Sequence, residues 1–386
     1  MKALEFAKAP LAFRPFFLLA SAFTVLSMFY WGGVLAHGMH FETQYGLLYW
    51  HSHEMVFGFC LAVIAGFLLT AVQNWTGEKL PCGVQLIPLI LIWLGARILP
   101  FTHVNPHFIA LIDLLFIPYL AWLITRPLIK SKKYKNLMMT GLLAALFIAN
   151  LMFHAELLGY TDNSLRLGMF LAIDLIVLMI VIITGRILPF FTNKALEDDS
   201  AKKKMPIELL AVLSVIFLIL CDFHVFQGEW VKYFYAFFAL IHLLRIFLWG
   251  SLKILTKPIL LILYVAYSFL PLALLIKAFA AYDPMGGHTG VHALTAGLIG
   301  VSILAMMTRV GIGHTGREIK SSLWMNISFI ALSLAALIRI FLPIFDESKF
   351  FEAIIWSSGL WTLAYLIYFI VFTPILLSKR PDGKEG

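Results

Sequence analysis

The chain alternates long apolar stretches with short polar ones from end to end. Each stretch is close to the roughly 20 residues that an α-helix needs to cross a bilayer. Twelve stretches stand out, at 12–36, 50–74, 84–101, 104–125, 136–155, 165–190, 206–224, 231–250, 257–278, 289–310, 323–343 and 351–377. The pattern predicts an all-α, polytopic membrane bundle of about twelve transmembrane helices. The connections are short, and none is polar enough for a separate soluble domain. Residues 1–386 therefore read as a single integral membrane domain.

Composition agrees with that pattern. The chain is 61% hydrophobic and only 13% charged, about half the charge usual in a soluble protein. No small-residue cleavage site follows the first apolar run, so a cleavable signal is not expected. Cys60, Cys82 and Cys221 are scattered without a CxxC, which argues against a disulfide framework or a thiolate metal site. The net charge of +8 reads as membrane orientation rather than nucleic-acid binding, because the basic residues occupy alternate loops.

Lys130, Lys132, Lys133 and Lys135 crowd one loop, Lys202 to Lys204 another, and Arg317 with Lys320 a third. Lys379 and Arg380 follow the last stretch, while Glu42, Asp162, Glu229, Asp346 and Glu347 mark the intervening loops. Under the positive-inside rule both termini are cytoplasmic. Ten of the twelve histidines then fall on the outer side: His37, His40, His51, His53, His103, His107, His154, His224, His288 and His292. His242 lies inside a span and His314 on the cytoplasmic side. Exclusion of lysine from outer loops explains part of this layer, and metal chemistry explains it more fully.

Within "YWHSHEMVFGF", His51 and His53 are two residues apart and point about 200° away from each other on a helix. They are candidates for different neighbours or different centres. Glu54 is a candidate proton group or an acceptor that orients a histidine. The plain alternative makes all three polar markers of a helix end. His288 and His292, four apart, share one helical face and suit a metal or a haem. Gly286, Gly287 and Gly290 beside them allow close approach of a backbone or a flat cofactor. Arg97, Arg186 and Arg309 lie in or at the ends of spans, as do Arg245 and Arg339. They are candidates for propionate clamps or for partners of Asp113 and Asp174, with snorkelling as the plain alternative.

His53, Gly58, Thr76 and Gly77 share their mutual spacing with His292, Gly297, Thr315 and Gly316. Arg186 and Thr192 share theirs with Arg309 and Thr315. Spans two, six and ten thus correspond, pointing to three four-helix units with His53 and His292 at equivalent positions. Small residues spaced by four, as at Gly58, Ala62 and Gly66, or Ala293 and Gly297, put spans two and ten inside the bundle.

"FRPFF" from Phe13, "HEMVFGF" from His53 and "AGFLLTAVQNWTG" from Ala65 resemble the NnrS family of bacterial membrane proteins. So do "GRILPFFT" from Gly185 and "HALTAGLIGVSILAMMTRVGIGHTGR" from His292. The resemblance implies a twelve-helix inner-membrane protein that binds haem and copper. It also implies a part in the response to nitric oxide, in nitrosative stress and denitrification. Haem-copper oxidases are similar in architecture alone, since this sequence lacks their adjacent histidine pair and their histidine–tyrosine motif.

The residues most expected to hold metal are His53 and His292, then His51 and His288, with Arg97, Arg186 and Arg309 as partners of a cofactor. Turnover, sequestration and sensing of nitric oxide all remain open, and so does enzyme activity. The rival reading is a proton-coupled transporter without a cofactor, with Asp113, Asp174, His242 and Glu54 as its relay.

Overall fold

In the computed structural model, residues 11–40, 42–279 and 288–383 are described. Twelve of its helices are long and apolar enough to span a membrane. They are α1 (Phe13–His37), α2 (Leu47–Thr76), α3 (Gly83–Phe101), α4 (Pro106–Lys130), α5 (Tyr134–Leu157) and α6 (Ser164–Leu196). The remainder are α7 (Met205–Asp222), α8 (Trp230–Trp249), α9 (Pro258–Ala278), α10 (His288–His314), α11 (Leu323–Phe345) and α12 (Glu347–Leu377). The protein is a polytopic helical membrane bundle, with no strand among the described residues. Gly286 and Gly287 lie outside the described residues.

Several helices run past the ends that hydropathy suggests. α6 continues through Pro189 to Leu196, and α4 through Pro127 to Lys130. Proline removes one backbone donor per site, and the helix hydrogen bonds on either side carry the turn across. The tight turn between α3 and α4 has a local cause. Asn105 caps α4 by accepting from the His107 amide at 2.9 Å, and Pro106 occupies the first helical position. Gln44 fastens the preceding loop to this turn through Thr102 O (2.7 Å) and Val104 O (2.8 Å).

Burial ranks the helices. In the most apolar window of α2, 83% of residues are buried, with 72% in α10 and 67% in α9, against 33% in α1, α3, α7 and α8. α2 and α10 are thus interior helices, and sequential neighbours pack around them. α12 returns to α1 and closes the bundle. Arg14 of α1 donates to Leu376 O and Ser378 O, both at 2.7 Å, and Trp361 Nε1 donates to Thr24 Oγ1 at 2.8 Å.

Both interior helices contain a π-helical turn at the same relative place. It covers Glu54–Cys60 in α2 and Ala293–Gly300 in α10, directly after His53 and His292. A π-turn frees carbonyls from the regular ladder and turns the following face. Here Gly58 O accepts from Trp93 Nε1 (2.9 Å) and Gly300 O from Tyr365 Oη (2.9 Å). Glycine permits the close packing: a Cβ at Gly297 would sit 2.4 Å from the Phe269 ring.

The α5–α6 contact provides a test. A Cβ on Gly168 would meet Ala149 O at 2.5 Å and Met152 Cβ at 2.9 Å, whereas one on Gly359 would meet nothing within 4 Å. Gly168→Ala should lower the thermal midpoint in detergent, an overpacking cost of about 1–3 kcal/mol. Gly359→Ala should leave it unchanged or raise it slightly.

Candidate metal centre

His53 of α2, Asp113 of α4 and His154 of α5 converge at the histidine-rich end of the bundle, all three buried. One nitrogen or oxygen from each lies within 4.8 Å of the others, close enough to hold one ion. His53 Nε2 is 3.2 Å from Asp113 Oδ2, and His154 Nε2 is 3.0 Å from the same oxygen. Asn150, one turn before His154 on α5, donates to that oxygen at 2.7 Å and offers its own Oδ1 to His53 Nε2 at 3.2 Å. The other ring nitrogen, His53 Nδ1, lies 3.1 Å from Glu54 Oε1. Both imidazole nitrogens therefore face acceptors. That arrangement suits an imidazolium, or an imidazole with a metal in place of the proton at Nε2.

Arg97 of α3 ties the carboxylates together. Its Nε is 2.9 Å from Glu54 Oε2, and its Nη2 makes a close ion pair with Asp113 Oδ1. All of these side chains are at most 5% exposed, so water screens none of them. Two carboxylates against one guanidinium leave one negative charge over, which a protonated imidazole or a bound cation would balance. Aromatic rings close the site. Phe153 lies 4.4 Å and Phe57 5.0 Å from the His53 ring, and Tyr45 stands 5.1 Å from His53 and 5.9 Å from His154. The Tyr45 hydroxyl is buried with no hydrogen-bond partner.

His51 points the other way, as its spacing from His53 requires. Its ring stacks on Trp31 of α1 at 4.1 Å and 13°. His292 of α10 lies within electrostatic reach of His51, His288 and the Arg339 guanidinium of α11, and Arg339 also acts on His51. His292 Nδ1 donates to His288 O at 2.8 Å, which leaves Nε2 as the free ring position. Arg339 is buried over the Phe350 ring, and its Nη1 has no hydrogen-bond partner. Two imidazoles from α2 and α10 thus share the electrostatic surroundings of an unsatisfied guanidinium.

The histidines expected to hold metal thus divide between two groups. His53 joins Arg97, while His51 joins His288 and His292. Arg186 and Arg309 stand with neither group. Arg186 Nη1 donates to Asn136 Oδ1 (3.3 Å), and Arg309 lies over the Phe191 ring at 3.7 Å. Arg309 is seventeen residues beyond His292 on one helix, about 25 Å at 1.5 Å per residue. Asp113, His154, Asn150 and Arg339 complete the groups, and sequence reasoning did not assign them to a metal. The available signals were opposite charges in neighbouring spans and the four-residue step from Asn150 to His154.

A family model described as NnrS protein matches residues 9–380. The chain belongs to the NnrS family. No curated protein sequence matches it. In this NnrS-family chain the His53 group has the donor set for a borderline metal: two imidazoles and a carboxylate, with Glu54 as a further acceptor beside His53.

The ion network gives a stability prediction. Arg97→Gln leaves two buried carboxylates without their cation and should cost roughly 3–5 kcal/mol, seen as loss of yield and thermal midpoint. Adding Asp113→Asn should recover part of that loss. An additive double mutant would show that the two groups do not interact.

Proposed function

We propose that this protein is a haem- and copper-binding member of the nitric oxide response. His53, Asp113 and His154 would hold copper, and His51 and His292 would hold a haem, with Arg339 as the partner of a propionate. The buried convergence of His53, Asp113 and His154 carries the reading. It is further supported by the unpartnered Arg339 nitrogen and by the family membership. Bound at these positions, haem iron and copper supply direct coordination of nitric oxide.

The chain's own groups do the rest. Glu54 fixes the orientation of His53 through Nδ1, as an outer carboxylate does for a metal-bound imidazole. Arg97 holds the Glu54 and Asp113 carboxyl groups side by side. Phe57, Phe153 and Tyr45 keep water out, and the Tyr45 hydroxyl is a free donor beside the cluster. The reading takes the whole chain as one integral domain of a bacterial inner membrane, with the histidine-rich end outward and both termini cytoplasmic.

The transporter reading draws less support. Its four relay residues stand in three separate groups: Glu54 and Asp113 with His53, Asp174 with Asp222 and Lys277, and His242 with Ser214 and Tyr267.

Protein purified in mild detergent should show a Soret band and stoichiometric copper, and the absence of both would overturn the reading. His53→Ala or His154→Ala should remove copper and leave the Soret band. His51→Ala or His292→Ala should shift or abolish the band and leave copper, and His103→Ala should change neither. Glu54→Gln should weaken copper binding by roughly 10–100-fold, measured by competition with a chelator.

A further inference from the structure

A cavity of about 490 Å³ opens at the opposite, lysine-rich end, between α2, α5, α6 and α10. Its polar lining holds two cations, Lys133 and Arg186, with the His314 imidazole and the neutral Thr70, Asn74 and Asn136, and no acidic residue. Arg309 adds a further guanidinium over the ring of Phe191, which also lines the cavity. The C-terminal segment packs beside this end, where Arg380 donates to His314 O at 3.0 Å and is itself paired with Asp382 at 2.6 Å. The inner walls are apolar. Phe67, Ile183, Ile187 and Met306 are shared with a second, narrower cavity of about 100 Å³, walled by Val63, Ile180, Leu263 and Ile303 among others.

We propose that this cavity is a binding site for an anionic phospholipid of the leaflet at the basic end. Its phosphate would sit among Lys133, Arg186 and His314, and an acyl chain would extend into the apolar branch. Three observations select this occupant. The volume lies in the range of built ligand sites rather than packing defects. The cationic groups gather at the mouth and the hydrocarbon lies behind them, so the ligand must be amphiphilic with a negative head. Finally, basic clefts between membrane helices at this interface are suited to anionic lipid head groups. A zwitterionic lipid has the same tail but no net charge to offer, which makes charge the discriminating variable.

The site would join the ends of α2 and α10 remote from the histidines. A lipid that binds only the folded bundle raises its stability by mass action. The full-length protein in dodecyl maltoside is titrated with phosphatidylglycerol or phosphatidylcholine, and thermal unfolding is followed by tryptophan fluorescence. Phosphatidylglycerol should raise the midpoint by several degrees and saturate, while phosphatidylcholine should not. Lys133→Gln with Arg186→Gln should abolish the difference, and both side chains are exposed enough for the variant to fold. Lys132→Gln with Lys135→Gln, in the same loop but outside the cavity, should keep it. Native mass spectrometry of the wild type should retain one phosphatidylglycerol where phosphatidylcholine is stripped. Equal effects of the two lipids, equal retention, or a wild-type response from the cavity double variant would each overturn the proposal.

Discussion

Two carboxylates and one guanidinium share a dry space at the histidine-rich end, and the packing of α2 to α5 depends on keeping them matched. Glu54, Arg97 and Asp113 come from three helices, and His53, His154 and Asn150 converge on Asp113 Oδ2. In hydrocarbon none of these groups can fall back on water, so removing one charge exposes the others at full cost. The same condition gives the cluster its chemical interest. A buried network one positive charge short is a place where a proton or a metal ion is held by the fold itself.

A second buried network does comparable mechanical work in the middle of the chain. Arg245 of α8 pairs with Glu208 of α7 at 2.6 Å and donates to Val181 O of α6 at 3.0 Å. It also contacts the Tyr267 hydroxyl closely, and His242 links Tyr267 to Ser214. Four helices are joined by fully satisfied polar groups, as membrane interfaces without a hydrophobic driving force require. This network finds all its partners within the protein, in its own side chains and backbone carbonyls. The histidine-rich end differs, because the Tyr45 hydroxyl and Arg339 Nη1 are buried there and unpaired.

The π-turns stand directly after the two histidines that the spacing match pairs, and the two share one register in α2 and α10. In α2 the turn brings both His53 and Glu54 inward, although adjacent residues on a helix point about 100° apart. Repetition of the backbone device nevertheless leads to different surroundings. His53 meets α4 and α5, whereas His292 shares electrostatic surroundings with His51 and Arg339, because different helices flank the two positions.

The membrane class, the number of spans and the interior rank of α2 and α10 were legible in the sequence, because apolar length and small-residue spacing act locally along one helix. The divergence of His51 and His53 was legible for the same reason, since helical pitch alone imposes it. Partner choice was legible only in part: Asp113 was a candidate partner for the span arginines and does pair with Arg97. Asp113 and His154 are forty-one residues apart and join His53 only because α4 and α5 pack beside α2. Arg186 and Arg309 had the right chemistry for a cofactor and stand at the other end of their helices. Local periodicity determines which face a residue occupies. Which residues from other helices meet it there is decided by the packing of the whole bundle, where the matching of buried charges leaves few arrangements stable.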